Sequence, residues 1–205
     1  MASLISGLTK NEQQELMEDL NYLNLAEIKR FCEKHSIPYK IVVRRENGKR
    51  RETSDNDRKG VILKRVRHFL QTGLVLPETC LPSSVVCFDP LPTNLRASDR
   101  LFYGQYDKTN RAMITLLKNL TDGKFRNGAI ARIVARNFWT KGEAPTFQQY
   151  ASAWLQATLE HTRPNPEWAF LSDRANKTAG PDWKSLRAVK ARKVLRILNG
   201  ISSIR

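Results

Sequence analysis

Three times along this chain a hydroxyl or amide residue is followed three positions later by Glu or Gln and then by spaced apolar residues: Thr9 with Glu12, Asn24 with Glu27, and Thr146 with Gln149. In such a capping box each side chain accepts a hydrogen bond from the other residue's backbone N–H, so a helix start is specified locally. Leu16, Met17, Leu20 and Leu23 follow the first box, predicting a helix over about 10–20. Leu25, Ile28, Phe31 and Cys32 follow the second, predicting a helix over about 25–35 that must stop before Pro38. A third helix is expected over Arg58–Gln71, with Asp57 as N-cap, Val61, Ile62, Arg65, Val66 and Phe69 close together on its surface, and Gly73 as the left-handed stop.

Between the second and third helices the sequence reads IVVRRENGKRRET over residues 41–53. Asn-Gly between alternating residues is a strong hairpin signal, so Ile41–Arg45 and Lys49–Thr53 are expected to pair across a two-residue type I′ turn. An isolated two-stranded hairpin is marginal in water, and Arg44, Arg45, Lys49, Arg50 and Arg51 cannot supply a core for it. They are candidate phosphate contacts.

From Leu74 to Ser98 four of the nine prolines (Pro77, Pro82, Pro90 and Pro92) fall in a stretch with few charges and no period, which reads as a linker over 77–97. Beyond it, helices are expected over Asp107–Leu120, Asn127–Trp139 with Ile130, Ile133, Val134 and Phe138 inward, and from Thr146 through Leu155. Two more begin at Asn165-Pro166 and Gly180-Pro181, the last reaching Leu198. Trp139, Trp154, Trp168 and Trp183 lie near one per helix and read as core anchors, with base stacking as the minority alternative.

Lys plus Arg number 35 against 20 Asp plus Glu, a formal charge of +15, which implies a polyanionic partner. The excess is concentrated: residues 29–67 hold fourteen cations and five carboxylates, a surplus of nine. Further cations lie at Lys124, Arg126, Arg132, Arg136 and Lys141, and on the outer side of the last helix at Lys184, Arg187, Lys190, Arg192, Lys193 and Arg196. Either set could extend a binding track or serve solubility and the helix dipole. Cys32, Cys80 and Cys87 are odd in number, and they and the three histidines lack zinc-ligand spacing, so neither a metal nor another cofactor is expected. No segment reads as a signal peptide or membrane span, which predicts an intracellular, cytoplasmic protein with no membrane partner, nucleoid-associated if bacterial.

Leu25-Ala26-Glu27-Ile28-Lys29, Phe31-Cys32, Ser36-Ile37-Pro38 and Lys59-Gly60-Val61-Ile62-Leu63-Lys64-Arg65-Val66 together resemble the SAP domain, a helix, extended turn, helix module. The family's second helix reads K-x-x-L-[IV]-x-R-[IVL], matched by Lys59, Ile62, Leu63, Arg65 and Val66. The resemblance implies binding of DNA, commonly AT-rich duplex, and assigns Lys40, Arg58 and Lys59 as phosphate contacts with Lys64 and Arg65 adjacent. It spans residues 20–73 and departs from the family in two ways: about 17 residues intervene in the turn, and Ser36 stands where a glycine is usual. Lys124-Phe125-Arg126 with Thr146-Phe147 and Trp154 is similar to a helical module found behind SAP domains in some bacterial proteins of unassigned function.

No phosphate loop, H-E-x-x-H or nucleophile elbow is present. Asp182-Trp183-Lys184, with Asp89 as an imagined partner, has nuclease-like spacing, but the strands such enzymes need are not expected. The expectation is a mainly α, non-catalytic protein. A SAP-like helix-loop-helix module with a hairpin insertion (8–76) is joined by the linker to an all-helical C-terminal domain (98–205), and the partner is double-stranded DNA. The alternative is a protein-interaction adaptor or RNA-binding protein whose helical C-terminal half docks a partner.

Overall fold

The computed structural model describes residues 3–160 and 183–201. Among them the chain is mainly helical with one small sheet. Seven helices are described: α1 (Lys10–Asp19), α2 (Leu25–Lys34), α3 (Lys59–Thr72), α4 (Arg111–Asn119), α5 (Ala129–Thr140), α6 (Phe147–Glu160) and α7 (Trp183–Gly200). Strands β1 (Lys40–Arg44), β2 (Arg50–Asn56) and β3 (Thr79–Leu81) form a sheet of order β2-β1-β3. All three capping boxes form, Thr146 and Gln149 exchanging bonds of 2.9 and 3.1 Å. The end of α2 is equally specific: Ile37 N–H donates to the Cys32 carbonyl at 2.8 Å and Ser36 N–H to Glu33 at 3.4 Å, with Ser36 at φ +54. This is a Schellman closure in which Ser36 takes the left-handed backbone that glycine favours.

The chain divides into two compact units, and the division differs from the expected one. The first comprises Met1–Lys40, Ser54–Glu78 and Pro164–Arg205; the second comprises Ile41–Thr53 and Thr79–Arg163. The C-terminal helix therefore belongs with the N-terminal helices, and the hairpin belongs with the later part of the chain.

In the first unit α1, α2, α3 and α7 bury Leu20, Leu23, Ile28, Cys32, Ile62, Leu63, Leu70, Val194 and Leu198 to 1% exposure or less. On α7 Ala191, Val194 and Leu198 point in, while Val189 is 64% exposed. Arg187, Lys190 and Lys193 recur along α7 one turn apart and pair with Glu27, Asp19 and Glu15 at 2.7, 2.7 and 2.6 Å. Lys34 of α2 donates at 2.8 Å to the Ile201 carbonyl just past the end of α7. These cations hold the helix rather than extend a track.

In the second unit Ile41, Val43, Leu81, Val85, Leu101, Met113, Phe125, Trp139, Phe147, Tyr150 and Trp154 form one core. The proline-rich stretch is not a linker: β3 pairs in parallel with β1 (Ile41 with Thr79, Val43 with Leu81), and Leu81 and Val85 are fully buried. Nor is this unit all-helical, since it holds the hairpin and β3. α5 buries Ala131, Val134, Ala135 and Trp139, one position on from the expected set. Small residues there allow close approach, and the Tyr150 hydroxyl of α6 donates to the Ala131 carbonyl at 2.8 Å. Trp139 and Trp154 are 4% exposed core anchors; Trp168 and the helix expected at Asn165-Pro166 lie outside the described residues, as does Asp182 of the nuclease-like triplet.

Candidate nucleic-acid interface

The hairpin is built from alternation. Ile41 and Val43 are 2% exposed and enter the core, while every residue from Arg44 to Arg51 is exposed. Its instability as an isolated pair is removed by the third strand, and the Thr53 hydroxyl adds a bond of 2.8 Å to the Ile41 carbonyl. The turn is not type I′, which needs positive φ at both central residues. Only Gly48 is positive, at +75°, and Gly48 N–H donates to Arg45 and Arg45 N–H to Lys49, both at 2.9 Å. This is a three-residue Glu46-Asn47-Gly48 loop, in which a type I turn precedes the left-handed glycine. The Asn47 side-chain oxygen accepts from Lys49 N–H at 3.1 Å, holding the tip.

Arg44, Arg45, Lys49, Arg50 and Arg51 are thus carried on a short, core-anchored ribbon. Among the described residues no carboxylate lies within ion-pair distance of Arg44, Arg45, Lys49 or Arg51. Beside the ribbon lies a cleft of about 520 Å³ lined by Arg44, Arg45 and Arg51 and by Val86 and Phe88. Phe88 is 62% exposed.

The helical-unit residues fare differently. Arg65 is 4% exposed and pairs with Asp57 at 2.7 Å, also donating to the carbonyls of Pro38 at 3.1 Å and Pro77 at 3.0 Å. It ties together the chain after α2, before α3 and after α3, and is removed from the candidate phosphate contacts. Asp57, expected as the N-cap, is turned to Arg65; the cap position is Arg58, without a side-chain bond. The Lys59 ammonium donates to the Asn21 carbonyl, and Arg67 to Met17 and the Asn21 side chain at 3.1 and 3.0 Å. Lys64 is exposed, and Lys40 and Arg58 are half-buried.

No family model, curated protein or solved structure matches the chain.

Two buried titratable groups are structural. His35, 7% exposed, sits with its ring 4.4 Å from Phe31 and 5.1 Å from Phe69, and neither nitrogen meets a hydrogen-bond partner among the described residues. Burial first, and the Lys34 charge second, hold its pKa below the usual value, so it is neutral. Burial pushes the Cys32 thiol up to about 12, which leaves it protonated and unreactive. Among the described residues no group of three His, Cys, Asp or Glu could hold a metal, the cysteines are free thiols, and no helix is long and apolar enough to cross a membrane.

Sequence reasoning missed Phe88, which falls inside the 77–97 stretch read as a linker. Its signal was an aromatic residue immediately before Asp89-Pro90, out of phase with the buried Val85.

Proposed function

We propose that the protein is a non-catalytic DNA-binding protein that contacts phosphates through the basic ribbon. The observation that carries this reading is the ribbon's outward set of four arginines and a lysine on a core-anchored sheet. Phosphate contacts position without reading sequence, and a two-stranded ribbon is narrow enough to enter a major groove. Duplex DNA is the expected form, with the groove width of AT-rich sequence as a selectivity term. The SAP-like helices support it through Ser36, whose left-handed backbone takes the place of the family's glycine, and through Lys40, Arg58 and Lys64. Lys59 and Arg65 do not, being engaged within the fold.

The test is a salt titration with an AT-rich duplex. If about six cations contact phosphates, the log-log slope for wild type is roughly −5. Changing Arg44, Arg45, Arg50 and Arg51 together to Ser should weaken binding and make the slope shallower by roughly 3 to 4, with little change in Tm because the four are exposed. Equal binding by both proteins removes the ribbon from the mechanism, and tenfold preference for hairpin RNA turns the reading toward RNA.

A further inference from the structure

Phe88 is an aromatic side chain left in water yet fixed in place. Its backbone neighbourhood is pinned: Cys87 N–H donates to the Tyr103 carbonyl at 2.9 Å, and Tyr103 N–H to the Val85 carbonyl at 2.8 Å. Gln105 adds a side-chain bond to the Asp89 carbonyl at 3.1 Å. The ring stands edge-on to Tyr103, centroids 6.3 Å apart at 79°. Its Cδ1–Cε1 edge rests against Gly104, where φ is +97° and a Cβ would fall 2.8 Å from the ring and 2.4 Å from the Cys87 carbonyl oxygen. Glycine is therefore required at 104 for the ring to lie where it does. An exposed Phe held by a glycine on one side and an aromatic on the other has little rotamer freedom left to lose on binding.

The same ring lines the cleft that Arg44, Arg45 and Arg51 line, and the volume is within the range of small-ligand sites. Val43 and Val86 add an apolar wall, and the one carboxylate on the lining, Glu46, is at the exposed loop. A flat apolar platform beside three guanidinium groups fits a nucleotide: base on the ring, phosphate on the arginines. A base inside a duplex cannot present its face to a side chain without leaving the stack.

We infer that this cleft receives an unpaired nucleotide of a DNA strand, its base stacked on Phe88 and its flanking phosphates held by Arg44, Arg45 and Arg51. The inference rests on the ribbon's reading as a phosphate-binding element and deepens it. DNA with a single-stranded gap or overhang is then the preferred partner over fully paired duplex, and AT-rich duplex is the easiest paired form to open.

Full-length protein is titrated by fluorescence anisotropy against an AT-rich blunt duplex and the same duplex carrying a short oligo-dT gap, with 2-aminopurine in the gap reporting stacking. Wild type should prefer the gapped probe and change the 2-aminopurine emission. F88A should lose roughly 5- to 150-fold on the gapped probe with the blunt duplex unchanged, and F88W should restore it. An unchanged gapped-to-blunt ratio in F88A, or full binding by F88L, overturns the inference; the ribbon reading survives if the arginine quartet still weakens both probes. A quartet variant that binds both probes like wild type overturns both. Tighter binding of an acidic peptide than of the gapped DNA overturns the assignment of the cleft to a nucleotide. Tm of each variant equal to wild type shows the loss is at the site.

Discussion

The ribbon and the helical unit carry the same residue types to opposite ends. On the ribbon Arg44, Arg45 and Arg51 are exposed, with no carboxylate of the described residues within ion-pair distance. In the helical unit Arg65 is buried on Asp57, Arg67 and Lys59 donate to backbone carbonyls, and Arg187, Lys190 and Lys193 meet Glu27, Asp19 and Glu15. Charge counted along a sequence cannot separate these fates; what separates them is whether a carboxylate or an orphan carbonyl is within reach after folding. The surplus of nine in residues 29–67 therefore overstates the outward-facing charge, because Lys34, Lys59, Arg65 and Arg67 are engaged internally.

The comparison predicts that arginines of the two regions fail differently. R65A leaves the Asp57 carboxylate and the Pro38 and Pro77 carbonyls buried without their donor, and should destabilise the protein by about 3–5 kcal/mol by chemical denaturation. R51S should shift the denaturation midpoint by no more than about 0.5 kcal/mol equivalent. Similar losses from the two would erase the distinction.

A second, smaller effect concerns the core beside α2. His35 is neutral when folded and has its pKa depressed, so the unfolded chain binds the proton first. Stability is full above the ordinary histidine pKa of about 6.5 and falls as pH drops below it toward the folded value. H35L removes that term: its Tm should exceed wild type by more at pH 5 than at pH 7, whereas parallel Tm curves across that range would mean His35 does not titrate with folding.

The smallest effect belongs to the outermost clasp on α7. Lys193 and Glu15 are 42% and 50% exposed, so K193A should cost about 0.2–1 kcal/mol and vanish at high salt. D19N, at a carboxylate only 3% exposed, should cost more, and the reverse order would show that burial does not set the strength of these pairs.

What could be read from the sequence was what neighbouring residues decide. The capping boxes, the stop before Pro38 and Gly73 at φ +72 are local hydrogen-bond patterns, and each helix they predict is present. The turn type was not, because Asn-Gly suits more than one loop and the backbone angle of Asn47 is settled by strand pairing. β3 was hidden because Thr79–Leu81 is three residues long among prolines, and its partner lies some forty positions earlier. The allocation of α7 escaped for the same reason on a larger scale: its apolar stripe is ambiguous until Asp19 and Glu27 choose which cations face inward. Of the candidate site, the ribbon's cations were legible by type, Arg65 and Lys59 were misassigned because their partners are distant in sequence, and Phe88 needed Gly104 beside it to be noticed.

The return of α7 to the first three helices has a consequence for how this chain acquires its shape. Leu16 and Leu20 share a core with Val194 and Leu198, so α1, α2 and α3 wait through the synthesis of α4, α5 and α6 for their last covering surface. Until then Asp19 and Glu27 have no cation from α7 and part of the apolar stripe is wet, a state open to off-pathway association. Cutting the chain in its proline-rich stretch would make that transient condition permanent.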